Sequence, residues 1–287
     1  MIEKTGFVIV NYCTSDDVQL CIESVFQYLD NENFIIIVVD NNSPDKSGKK
    51  LQEKYDNEKK CEVILNNSNL GYARGNNIGI KLCINKYNCD FVCILNPDIR
   101  ITDNMFASDI RGEYREHMYD VLSGIILDQD GNAANISYNN DDLIAIPKLK
   151  YRRMKCQVYR FFLPFFYLFS EIRNKRRQKR KNEVITDNRY NVQLPGCFLV
   201  FSPDFLKNQG ELFPGTFMFM EEEILYYQVM KRKAKTMFST KIRVKHIGGV
   251  SRGSGLKRCN FTLKETVKSM DKIIEFLALE KSNDYLS

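Results

Sequence analysis

The chain has 287 residues, 44% hydrophobic and 27% charged, ordinary figures for a globular protein with room for one large or two small domains. Nine Cys without a single C-x-x-C pair, and two His in all, argue against a zinc knuckle. The net charge of +6 is local. Residues 148–182 hold thirteen Lys or Arg against one acid, Glu171, so this segment carries +12 and the remainder −6.

The first predicted strand is Gly6-Phe7-Val8-Ile9-Val10-Asn11-Tyr12. Ser15-Asp16-Asp17 supplies helix-start chemistry, and Val18, Cys21, Ile22, Val25, Phe26 and Leu29 recur at helical spacing. A second strand, Phe34 to Val39, ends at Asp40, and a lysine-rich helix reaches about Tyr55. Glu62 to Leu65 is a short third strand. The stretch Asn69-Leu70-Gly71-Tyr72-Ala73-Arg74-Gly75-Asn76-Asn77-Ile78-Gly79 opens a helix to about Lys86. Its glycines fall four apart, which is not the dinucleotide fingerprint and suits close helix-to-sheet packing. Phe91 to Leu95 is a fully apolar strand that runs into Asn96-Pro97-Asp98, where proline ends the ladder for want of an N–H.

Strand–helix alternation of this kind predicts an α/β fold with a doubly wound, mostly parallel sheet. Its strands end in Asn11, Asp40, Asn66, Asn96 and Asp98, and a parallel sheet gathers its carboxyl ends on one ligand-binding edge. Farther on, Asp120 to Asp128 reads as a strand, and Asp128-Gln129-Asp130-Gly131-Asn132 as a hairpin turn. Val192 to Phe201 is a further expected strand, with Ser202-Pro203-Asp204 opening a short helix. Phe217-Met218-Phe219-Met220, expected to be largely buried, leads to Glu221-Glu222-Glu223 at a helix start. Lys241 to His246 is a late strand before a glycine loop, and a helix from Thr262 to about Glu280 closes the chain.

Four groups of residues carry chemistry. The strand-end carboxylates and carboxamides can hold a nucleobase, a ribose and a divalent metal. Arg74, in the first turn of its helix, could pair with phosphate. The three glutamates gain from the helix dipole, and one pressed against an apolar wall suits a general base. His246 ends a strand before a flexible loop, whereas His117 lies in a charged helical stretch and reads as solvated.

Seven stretches together resemble family 2 glycosyltransferases of the GT-A fold, in the branch of bacterial rhamnosyltransferase-like and polysaccharide-building enzymes. They are Val8-Ile9-Val10-Asn11-Tyr12, Val38-Val39-Asp40-Asn41-Asn42-Ser43, Asn69 to Asn77, Leu95-Asn96-Pro97-Asp98, Gly196-Cys197-Phe198-Leu199-Val200, Phe219-Met220-Glu221-Glu222 and His246-Ile247-Gly248-Gly249-Val250-Ser251, in family order. The resemblance implies that Asp40 binds the nucleobase or ribose, with Asn11, Asn69, Arg74 and Asn96 also on the nucleotide sugar. Asn96-Pro97-Asp98 would be this chain's Asp-x-Asp metal motif, with Asn in its first place and Asp98 the direct ligand to Mn2+ or Mg2+. His246 matches the late metal histidine. Glu222 takes the place of the catalytic acid and Glu221 the one before it. A later family Asp and Arg are here Ile224 and Gln228, so the choice of base among Glu221, Glu222 and Glu223 stays open. The implied reaction is inverting transfer from a nucleotide-diphosphate sugar, UDP- or dTDP-linked, to a glycan or lipid-linked acceptor.

Residues 1–142 and 190–258 would then form one catalytic domain, 143–189 a basic aromatic insertion and 259–287 a terminal helix. The insertion joins Lys148-Leu149-Lys150-Tyr151-Arg152-Arg153, the run Tyr159 to Phe169 and the basic cluster Arg173 to Lys181. Its apolar run is too short to span a bilayer, and the composition suits contact with an anionic membrane surface over 148–181. A protein partner or homodimer contact is the second use; nothing else in the chain supports nucleic-acid binding. Met1-Ile2-Glu3-Lys4 runs directly into a strand, so the expected location is the cytoplasm, peripheral at the inner membrane face. Two rival functions are a nucleotidyltransferase and an inactive sugar-nucleotide or glycan binder. The first would want a glycine-rich basic loop after the first strand, where this chain has Asn11-Tyr12-Cys13-Thr14-Ser15.

Overall fold

The computed structural model describes residues 3–133, 144–164, 187–248 and 255–284. Its strands are β1 (Thr5–Asn11), β2 (Phe34–Asp40), β3 (Cys61–Leu65), β4 (Phe91–Leu95), β5 (Ile99–Ile101), β6 (Val121–Leu127), β7 (Arg189–Tyr190), β8 (Phe198–Phe201) and β9 (Thr236–His246). The helices are α1 (Ser15–Leu29), α2 (Ser47–Tyr55), α3 (Gly71–Asn85), α4 (Phe106–His117), α5 (Ile146–Phe161), α6 (Pro203–Asn208), α7 (Glu221–Lys231) and α8 (Gly255–Asp284).

One sheet runs β3-β2-β1-β4-β8-β6-β9-β5, with β7 on β9. The first four strands are parallel. β8 then runs antiparallel to β4, and β9 pairs parallel with β6 but antiparallel with β5. This is an α/β sheet of the GT-A type, parallel on one side and mixed on the other. Strict alternation explains its two covers. Phe7, Ile9, Ile36, Val38, Phe91 and Cys93 pack on one face, and Val8, Ile35, Ile37, Val39, Val92 and Ile94 on the other, so the strands are apolar throughout. The four-residue glycine spacing on α3 does serve packing: a Cβ on Gly79 would lie 2.3 Å from Val8 Cγ1.

A third, smaller core lies over α7. Ile144 and Leu149 from the α5 side meet Met220, just before α7, Ile224 of α7, and Met270, Ile273 and Leu277 of α8. The first half of the basic segment is therefore docked through α5, while residues 165–186 lie outside the described residues.

Three expectations change in detail. Within Val192 to Phe201 only β8 is strand, because Pro195 has no N–H for a ladder. Of Phe217 to Met220 only Met220 is buried, and Phe217 is exposed. Phe219 and Met220 both take a left-handed backbone with φ of 71°, which breaks the extended run just before α7 begins. His117 is engaged rather than solvated: its ring lies within hydrogen-bond reach of Tyr190 at 3.3 Å and 3.6 Å from Glu116.

Candidate active site

The polar strand ends do converge, in two layers. Asn11 is fully buried and Asp40 nearly so. Asn11 Nδ2 donates to Asp40 Oδ1 at 2.7 Å and to Ser47 Oγ at 3.0 Å, and its Oδ1 accepts from Thr14 N and Oγ1. Ser43 closes the network, its Oγ donating to Asp40 Oδ1 at 2.6 Å. These groups tie β1, β2, α1 and α2 together; Asn11, Asp40, Ser43 and Ser47 line neither part of the cleft, and only Thr14 of the network reaches it.

Above them the cleft has a larger part of about 420 Å³ and a smaller part of about 120 Å³. Thr14, Tyr72, Asn96, Pro97 and Met218 line both. The smaller part adds Asn41, Asn69 and Asn76. Asn41 is locked by Asn66, whose Nδ2 donates to it at 2.9 Å, and by its own bond to Gly71 O at 2.9 Å.

The larger part is lined by two sets of ionisable groups from different elements. The first is Asp98 and His246. β5 pairs antiparallel with β9 so that Ile99 lies opposite His246, and Ile247 N donates to Asp98 O at 2.9 Å. This register brings His246 Nε2 within 3.0 Å of Asp98 Oδ2. Burial pushes the Asp98 carboxyl up, but the His246 hydrogen bond and charge outweigh it and hold the group below its usual value. Arg100 Nη1 donates to Pro97 O at 2.7 Å and fixes the turn between them. An ionised oxygen and an imidazole nitrogen 3.0 Å apart fit a divalent cation. Adjacent donors on an octahedral ion with bonds near 2.1 Å lie about 3.0 Å apart, and such ions keep places for water and phosphate.

The second set is Glu221 and Glu222 at the start of α7. The structure separates the three glutamates. Glu223 points to α5, where Arg152 Nη2 meets its Oε1 at 2.6 Å. Glu222 faces the cleft and lies against Gly196, where a Cβ would come within 2.5 Å of its Oε1. Tyr72, whose proton is held on by burial and by Glu222, donates from its hydroxyl to Gly196 O at 2.5 Å. Glu221 is buried, and its Oε1 has no hydrogen-bond partner. Burial first, then the Glu222 charge, pushes its carboxyl up to about 7, against the helix dipole.

Of the residues expected here, Asn69, Asn96, Asp98, Glu221, Glu222 and His246 line the cleft. Arg74 does not. It is exposed on α3, and its Nε donates to Pro214 O at 2.8 Å. Among the described residues, the basic side chain that lines the cleft is Arg258, from the first turn of α8. Sequence reasoning missed it because no spacing links α8 to the sheet edge. Glu113, Glu116 and His117 also cluster within metal-binding range, but none lines the cleft, and Lys241 already lies 2.7 Å from Glu113 Oε1.

A glycosyl transferase family 2 model matches residues 7–195, more than half of the chain. The chain belongs to glycosyltransferase family 2. A hexosyltransferase of low-salt glycan biosynthesis from Haloferax volcanii, Agl10, is 28% identical over 140 residues, covering 48% of this chain and 41% of that protein. Two solved structures share the fold. S. aureus TarS 1-349 superposes with a TM-score of 0.53 at 14% identity, over 85% of this chain and 60% of its own. GalNAc-T7, solved with UDP, GalNAc and Mn2+, gives 0.57 at 15% identity, over 91% and 47%. The chain thus spans less than half the length of the curated relative it matches. Among its described residues, no helix is long and apolar enough to cross a membrane.

Proposed function

We propose that this chain is a metal-dependent, inverting transferase that moves a hexosyl or deoxyhexosyl unit from a UDP- or dTDP-sugar to a hydroxyl of a glycan or lipid-linked acceptor. The observation that carries this reading is that one cleft is lined by two pairs of groups: Asp98 with His246, and Glu222 with Glu221. The hexosyltransferase relative supports the sugar class. The work would belong to cell-surface polysaccharide synthesis, peripherally at the inner face of the cytoplasmic membrane.

Asp98 and His246 would hold Mn2+ or Mg2+, which supplies charge neutralisation to the donor diphosphate. Asn69, Asn41 and Asn96 line the nucleoside end, and Arg258 adds positive charge at the mouth. Glu222 takes the proton from the acceptor hydroxyl as its oxygen attacks the anomeric carbon from the face opposite the leaving group. One displacement of this kind inverts the anomeric centre. Glu221, with its high proton affinity, carries less negative charge beside the base at neutral pH.

The test is donor turnover with UDP- and dTDP-sugars, with and without Mn2+, and the product's anomeric configuration read by NMR. Expected are metal-dependent turnover, inversion, and loss of both metal response and turnover in Asp98→Ala. Retention of configuration, or an Asp98→Ala variant that still responds to Mn2+, overturns the reading. Nucleotide binding without turnover in any acceptor mixture would favour an inactive binder.

A further inference from the structure

Helix α5 has two different faces, and the fold uses one. Leu149 is wholly buried in the third core. On that side Arg152 pairs with Glu223, Arg153 with Asp271 at 2.5 Å, and Arg160 Nε donates to Asn260 Oδ1 at 3.0 Å. The far side carries Tyr151, Met154, Val158 and Phe161, at intervals of three, four and three, which place them along one stripe. They are 59%, 52%, 50% and 80% exposed. Exposed Lys150 and Lys155 flank the stripe, and Lys155 Nζ sits 5.7 Å over the Tyr151 ring.

We propose that this outer face of α5 lies in the head-group region of an anionic bilayer, with Tyr151, Met154, Val158 and Phe161 inserted and the lysines reaching the lipid phosphates. An apolar stripe edged by lysines is the pattern of a helix that lies in a membrane surface rather than crossing one. Charge points to the same occupant. α5 holds six basic residues and no acid, while the chain outside 148–182 is net negative. Basic residues near an anionic leaflet each add to binding. A two-fold contact through this face would set one basic helix against its own copy, which repels.

The consequence reaches the cleft. Arg152, on the inner side of α5, holds Glu223, the residue next to Glu222. Docking of the outer face therefore sets the α7 carboxylates about one helix diameter, roughly 10 Å, above the lipid head groups. That suits an acceptor whose lipid anchor sits in the same surface. This last step rests on the transferase reading; the docking itself does not.

The experiment uses the full chain and phosphatidylcholine vesicles with and without phosphatidylglycerol, read by co-sedimentation. Wild type is expected to bind only the anionic vesicles. The triple variant Tyr151→Ser, Met154→Ser, Phe161→Ser should bind at least about tenfold more weakly, and Lys150→Glu with Lys155→Glu should do the same. These side chains lie outside the cores, so the thermal midpoint and donor turnover in solution should stay unchanged. Vesicle binding that both variants retain overturns the proposal. So does a variant that alters oligomeric state by ultracentrifugation while vesicle binding persists, which would assign the face to a protein contact. Wild type that binds anionic vesicles yet turns over no donor would defeat the transferase reading and leave the docking standing.

Discussion

Asn11 and Asp40 on the parallel side of the cleft, and Glu221 on the α7 side, are all buried polar groups, yet they meet opposite surroundings. Asn11 gives hydrogen bonds to Asp40 and Ser47 and accepts from Thr14, and Asp40 accepts from Ser43 as well. Glu221 leaves one oxygen with no hydrogen-bond partner beside a second carboxylate. The first arrangement stabilises a rigid floor. The second raises the free energy of a charge where proton movement is needed. Substitutions on the two sides should therefore part cleanly, the floor variants losing stability and the α7 variants losing rate.

The largest expected effect is Glu222→Gln. The amide keeps the shape of the side chain and cannot accept the acceptor's proton. Turnover should fall by ~10²–10⁴, with nucleotide affinity by calorimetry unchanged, because Asp98 and His246 come from the β5–β9 edge and not from α7. Near-normal turnover would move the base to Glu221.

Asn11→Ala tests the floor. It strips donors from Asp40 and Ser47 and an acceptor from Thr14, all buried. A loss of about 3 kcal/mol is expected from denaturant unfolding, since each orphaned buried group costs about 1–3 kcal/mol. Turnover per folded molecule should change far less. A small stability loss with a large fall in nucleotide affinity would instead make Asn11 the ligand group that the family resemblance implies.

Much of the fold is legible in the chain. The unbroken apolar strands, each closed by Asn or Asp, require a covered parallel sheet and one polar edge. Spacing also places Asp98 at that edge. What spacing does not give is which way a side chain turns. Asn11 and Asp40 are strand-end residues like Asn96, but they face the helix starts below and not the cleft. Arg74 sits in a first helical turn, as expected, on the side that meets Pro214. The three glutamates are equivalent in sequence, and only the docking of α5 through Arg152 separates Glu223 from the other two. Arg258 reaches the cleft from a helix far away in the chain, which no local pattern records.

Glu221→Gln sharpens the comparison through pH. A carboxyl pushed up from 4.5 to about 7 holds its proton more tightly in the folded chain than in the unfolded one. Its stabilising contribution is fully present below about pH 4.5 and is lost as pH rises through about 7. Glutamine never ionises, so the variant should match wild type near pH 4.5. Well above pH 7 it should be the more stable, by roughly 3–4 kcal/mol at about 1.4 kcal/mol per pH unit. Urea midpoints of both proteins across this range measure it. Equal midpoints at every pH would mean that Glu221 ionises as an ordinary surface acid does.

Gly196→Ala is the smallest change and the most local. The new Cβ would stand 2.5 Å from Glu222 Oε1 and 2.8 Å from its Cδ, closer than any carbon can remain. Something must move, and the Tyr72 hydroxyl holds the Gly196 carbonyl at 2.5 Å, so the backbone is the stiffer partner. The Glu222 carboxylate, the end of a flexible side chain, gives way instead. Folding should survive with little loss. Turnover should fall about tenfold, since a displacement on the order of 1 Å at a reacting group can cost up to ~10²-fold, while the donor KM holds. If KM rises and kcat stays, Glu222 grips the sugar, and the base must be sought at Glu221.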